Sequence, residues 1–161
     1  MPAAPLSLFT GRVLPEWIDY NGHMNVAYYV LAFDQASDRL FDHFSLGESY
    51  RRATDHSIFV LEAHATYERE LKQGEPLAVT SQLIDADSKR LHFFHRMMHG
   101  EEGYLTATIE VLTLHVDLRI PRAAPFPATA MDAIQRTLAE HRQLPPPPQL
   151  GRRISLANRR A

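Results

Sequence analysis

From Val26 onward the chain sets apolar side chains at Val26, Tyr29, Val30, Phe33, Ala36, Leu40 and Phe44, with Asp34, Gln35, Asp38 and Arg39 between them. That spacing is the apolar face of an amphipathic helix, and Asn25, just ahead of it, is a residue type that caps free helix amides. Beyond Gly47 the pattern changes. From Ser57 it shortens to alternation, with Leu61, Ala63, Ala65 and Tyr67 on one side and Glu62, His64, Thr66 and Glu68 on the other. Such a period predicts a half-buried strand. Gln73 to Pro76 reads as a turn, Leu77 to Ile84 as a strand, and Asp85 to Ser88 as a hairpin connection. Leu91 to Met98 and Tyr104 to Val116 are two more strands around the turn from His99 to Gly103. A short first strand over residues 8–15 and the polar turn Asp19-Tyr20-Asn21-Gly22-His23 precede the helix. The order predicts an α+β fold, one long central helix wrapped by an antiparallel sheet of about five strands.

Pro121 to Pro127 is expected to break the sheet, and Ala128 to His141 to form a terminal helix. The run Pro145-Pro146-Pro147-Pro148 cannot continue that helix, because proline lacks the amide hydrogen and fixes φ; the tail reads as extended and mobile. The length of 161 residues suits one core. We divide the chain into a main domain over residues 1–125 and a C-terminal helix with a proline- and arginine-rich tail over residues 126–161.

A hydrophobic fraction of 45% and a charged fraction of 22% are those of a folded globular chain. With no cysteine, a disulfide framework, a thiolate zinc site and a cysteine nucleophile are all excluded. The first residues, Met1-Pro2-Ala3-Ala4-Pro5, have no basic region and no apolar run behind them, so neither a signal peptide nor a membrane span is expected and the location reads as cytoplasmic. A net charge of −2 gives no reason to expect nucleic acid or a membrane as partner, the cluster Arg152, Arg153, Arg159 and Arg160 being the local exception. Nine histidines invite a metal, yet His92 and His95 fall on opposite faces of a strand and no HExxH pair occurs. No metal and no cofactor is expected. The serine-hydrolase GxSxG elbow, GxGxxG and the P-loop pattern are also missing.

The segment from Asp19 to Tyr29, Asp-Tyr-Asn-Gly-His-Met-Asn-Val-Ala-Tyr-Tyr, resembles the signature of the 4-hydroxybenzoyl-CoA thioesterase family of hotdog proteins. The stretch from Tyr67 to Glu75 is similar to the same family's aromatic, basic, Gly and acid pattern between two strands, and the resemblance spans roughly residues 8 to 118. It implies a hotdog fold and an acyl-CoA thioesterase in which Asp19 is the catalytic carboxylate. The backbone amide near Val26 then polarises the carbonyl, since the first amides of a helix lack intrahelical partners and carry positive partial charge. Asp19 acts either as general base on water or as nucleophile. His23 and Asn25 join it as candidate site residues, His23 also fitting a role in ordering the turn and Asn25 a role as cap.

Further segments, Val13 to Asn25, Leu61 to His64, Lys89 to Met97 and Leu114 to Leu118, are similar to the thioesterases that accompany carnitine dehydrogenase in bacterial carnitine degradation. That similarity implies betainyl-CoA as substrate. A trimethylammonium group is held by aromatic faces and a nearby carboxylate, for which Trp17, Tyr20, Tyr28, Tyr29 and Glu62 are the candidates; Tyr28 and Tyr29 also fit the helix core and Trp17 a seal at the strand end. Lys89 and Arg90 are candidates for the CoA phosphates, with Arg69 and Lys72 beside them. An open sheet edge and the family's usual assembly imply a homodimer or a dimer of dimers. Three alternatives remain at this stage: a non-catalytic acyl-CoA-binding module, a thioesterase for another short or aromatic acyl group, and a hydratase using Asp34 or Asp38.

Overall fold

The computed structural model describes residues 3–158, so Arg159 and Arg160 of the arginine cluster lie outside the described residues. β1 (Leu6–Arg12) leads through a 3-10 turn at Pro15–Trp17 into α1 (Val26–His43) and α2 (Glu48–Thr54). Then come β2 (His56–Tyr67), β3 (Pro76–Ala86), β4 (Arg90–His99), β5 (Leu105–Asp117), a two-residue β6 (Arg122–Ala123) and α3 (Ala128–His141). The sheet runs β1-β3-β4-β5-β2 with β6 on β5, and every pair is antiparallel. This is the expected α+β hotdog layout, with α1 packed into the concave side of the sheet.

The buried stripe of α1 is Tyr29, Ala32, Phe33, Ala36, Ser37 and Leu40. Val26 and Val30, expected on that stripe, fall to its side and stay 52% and 44% exposed. Leu91, Phe93 and Met97 of β4 and Ala107, Ile109 and Val111 of β5 meet the stripe from the sheet. Ala130, Ile134 and Leu138 of α3 enter the same core, with the terminal helix packed against β3. Where β3 shifts register between Leu83 and Asp85, the freed Leu83 amide donates to Nδ1 of buried His141 at 2.8 Å.

Further expectations need correction. The first concerns β2, whose middle is not half-buried: a bulge between Val60 and Glu62 takes Leu61 out of the ladder, and Phe59, Val60 and Leu61 are all more than half exposed on this edge strand. Second, the segment after Gly47 contains α2, which buries no residue and therefore left no periodic signal; the proline-rich stretch after β5 likewise does not end the sheet, since Arg122 and Ala123 pair with Asp117 and Val116. Third, the tail is packed on the outer face of the sheet. Gln82 Nε2 donates to Pro145 O at 3.4 Å, Gly151 N donates to Glu110 Oε2 at 2.7 Å, and Pro147 and Gln149 are buried. Outward-pointing Phe94 is only 1% exposed with this segment beside it.

Candidate active site

The loop between the 3-10 turn and α1 is held at both ends. Ile18 and Met24 form an isolated antiparallel bridge, Asn25 N donates to Trp17 O at 2.8 Å, and Met24 N donates to Leu71 O at 2.8 Å. Within it Asp19 N reaches His23 O and Gly22 N reaches Asp19 O, at 3.1 and 3.0 Å. Gly22 sits at φ +79°, a left-handed conformation that side chains resist. A rigid turn therefore presents Asp19 to the start of the helix.

Asp19 Oδ1 accepts from Asn21 N at 2.8 Å and Oδ2 from Asn25 Nδ2 at 3.4 Å. Asn25 uses its own Oδ1 to cap Ala27 N at 2.9 Å, and its carbonyl accepts from Tyr28 N at 3.0 Å. One amide side chain thus links the carboxylate to the helix terminus. Of the first three helical amides, Ala27 and Tyr28 are satisfied, which leaves Val26 N–H as the one with no acceptor among the described residues.

Asp19, His23 and Val26 line a cleft of about 270 Å³ together with Tyr29, Tyr67 and Arg69. Tyr29 is fixed by accepting from Leu71 N at 3.0 Å, and burial pushes its phenol up to about 12, so it stays neutral. Its ring meets Tyr67 edge to face, centroids 5.5 Å apart. The Arg69 guanidinium lies 3.7 Å above the Tyr104 ring.

The four predicted groups Asp19, His23, Asn25 and Val26 come together at this helix terminus. The predicted substrate residues scatter. Trp17 and Tyr28 stack on each other with centroids 5.6 Å apart, Tyr20 is 98% exposed, and Glu62 projects from the β2 edge. Lys89 and Arg90 occupy the β3–β4 turn, where Arg90 Nε donates to Asp87 Oδ2 at 2.7 Å. Arg90 pairs with Leu114, whereas Glu68 by the cleft donates from its amide to Thr106 O; eight residues of β5 separate them, about 26 Å within one subunit. Tyr29, one of the aromatic candidates, does line the cleft, whereas Tyr67 was not singled out as a site residue. The alternation put Tyr67 on the inward side, but only the fold shows which helical turn it faces.

Two other polar places are distinct from this cleft. A groove of about 810 Å³ between α1, α2 and β2 includes Asp34, Asp38, Glu48 and Ile58 but not Asp19. Burial, with Asp34 and Asp42 adding, pushes the Asp38 carboxyl up. No histidine bonds Asp34 or Asp38 among the described residues, which removes the support for a hydratase. The second is His95, on the helix-facing side of β4 and fully buried, its Nε2 3.0 Å from Ser37 Oγ. That hydroxyl donates to Phe33 O, so the histidine supplies the proton of the shared bond and Ser37 is no activated nucleophile. His92 lies on the opposite face, 2.8 Å from Glu110. Among the described residues no three His, Asp or Glu side chains gather as a metal site, and no helix is long and apolar enough to cross a membrane.

Known proteins match most of the chain. A betainyl-CoA thioesterase of Pseudomonas aeruginosa is 40% identical over 151 residues, covering 94% of this chain and 95% of its own. The L-carnitine dehydrogenase/betainyl-CoA thioesterase of Rhizobium meliloti is 35% identical over 152 residues, 94% of this chain but 30% of that longer protein. Among solved structures, a hypothetical protein of Staphylococcus aureus in complex with CoA superposes with a TM-score of 0.88 at 31% identity, covering 97% of this chain and 98% of that one. The thioesterase-like superfamily matches residues 13–137, from the end of β1 into α3, and the chain belongs to that family.

Proposed function

We propose that the protein hydrolyses a short cationic acyl-CoA, betainyl-CoA, to glycine betaine and free CoA. The observation that carries this is the cleft in which a fixed carboxylate, Asp19, and an amide without an acceptor, Val26 N–H, share one wall. A thioester carbonyl oxygen directed at Val26 N–H gains negative charge as its carbon is attacked, and the helix terminus stabilises that charge. Asp19 either takes a proton from the attacking water or attacks itself to give a mixed anhydride that water then opens. Either way the C–S bond breaks, CoA leaves as thiolate and takes up a proton, and the acyl group leaves as carboxylate. The relatives named above, two of them betainyl-CoA thioesterases, support the substrate. CoA thioesters are cytoplasmic metabolites, and we assign the protein to that compartment.

Release of free thiol from betainyl-CoA by the wild type and by Asp19→Asn tests the reading. Loss of release in a folded Asp19→Asn supports it, and undiminished release rejects it. We further propose a homodimer, supported by the unpaired β2 edge and the exposed Phe59, Val60 and Leu61 along it. Sedimentation should show a pair of chains, and Leu61→Lys should shift it toward single chains; a monomeric wild type rejects the assembly.

A further inference from the structure

We propose that Tyr67 is the surface that selects a cationic acyl group in the Asp19 cleft; this rests on the hydrolase reading above and names the residue that chooses its substrate. Trp17 and Tyr28 occupy each other's faces, and Tyr20 points away into solvent. The aromatic rings that line the cleft are Tyr29 and Tyr67. Tyr29 is 4% exposed and Tyr67 41%, so the accessible ring surface is Tyr67's. Its orientation is set from below by edge-to-face contact with Tyr29, itself pinned through its hydroxyl to Leu71 N.

The charges on the cleft wall point the same way. Asp19 contributes a carboxylate to the same cleft, and the guanidinium of Arg69 is drawn over the Tyr104 ring. A carboxylate beside an open tyrosine face attracts a quaternary ammonium, which aromatic quadrupoles hold without a hydrogen bond. In a betainyl thioester the ammonium nitrogen is one methylene from the carbonyl carbon. Val26 and Tyr67 line the same cleft of about 270 Å³, so a short acyl group that sets its carbonyl at Val26 N–H brings its ammonium toward Tyr67.

The test compares kcat/KM of the full chain for betainyl-CoA and for tert-butylacetyl-CoA, the neutral carbon isostere of the same shape. The wild type should prefer the cationic substrate. Tyr67→Phe should keep the preference, a ring-fluorinated phenylalanine at the same position should weaken it, and Tyr67→Leu should lower the ratio roughly tenfold. Equal losses on both substrates in Tyr67→Leu, or an unchanged ratio in both Tyr67→Leu and the fluorinated variant, overturn the role of Tyr67 and leave the hydrolase standing. A wild type without preference removes both the cationic substrate and this role, while thiol release that depends on Asp19 still identifies the hydrolase.

Discussion

Two polar clusters sit on α1 about 18 Å apart along its axis, and they end in opposite states. At the first turn, Asp19 and Asn25 satisfy most of what they meet yet leave Val26 N–H open to a cleft. Near the middle, Ser37 and His95 are sealed between helix and sheet: Ser37 Oγ donates to Phe33 O, and His95 Nδ1 is a buried nitrogen with no partner among the described residues. The difference teaches that a serine beside a histidine is not chemistry by itself. A reactive group needs access and a donor aimed at developing charge; the first cluster has both and the second neither.

The contrast breaks most sharply at Asp19. Asp19→Asn should cut thiol release by about two to four orders of magnitude while leaving the thermal unfolding midpoint nearly unchanged. If melting falls with activity, the open cluster is structural as well. Acid tests the sealed cluster next. Burial pushes His95 down to about 3, so below pH 6.5 the unfolded chain binds a proton that the folded chain refuses. Stability contributed by the neutral ring is present above pH 6.5 and is lost as pH falls, at up to about 1.4 kcal/mol per pH unit. Denaturant titrations at several pH values should show His95→Leu flattening that slope by one proton, with activity retained; an unchanged slope refutes the sealed state. Burial also holds His115 low, in the same direction, so His95→Leu should leave part of the acid slope in place.

Ser37→Ala removes the partner of a buried ring nitrogen and should cost about 1 to 3 kcal/mol in urea unfolding, again with little change in kcat. The smallest expected effect lies at the join of the open cluster. Asn25→Ala should cost about 1 kcal/mol for the lost cap. Asn25→Ser restores a cap but not the contact with Asp19, and should recover stability without recovering kcat. Recovery of both would show that Asn25 serves the helix alone.

What could be read in the sequence follows the range of the interactions. The Asp19 turn and the Asn25 cap are local, six residues apart, and Asn25 N-caps a helix that begins at Val26 as expected. α3 also runs over Ala128 to His141 as read, because Pro127 and the apolar spacing mark it locally. α2 was invisible because its seven residues bury nothing. Leu61 was placed on the inner side because a bulge, unlike a period, leaves no mark in hydrophobicity. Tyr67 joins Tyr29 across 38 residues, and Lys89 and Arg90 sit at the far end of the strand system from Asp19; only tertiary structure settles such distances. The proline run looked free because proline signals the end of a helix and says nothing of a surface that receives it, here the face bearing Phe94.

Asn25 deserves one last consequence, for its single carboxamide holds both the aspartate and the helix's Ala27 N–H. In the hydrolysis proposed above, fraying of that opening turn releases the carboxylate at the same moment, and thiol release is expected to fall with it. On that proposal turnover doubles as a gauge of whether the longest helix is wound to its first residue.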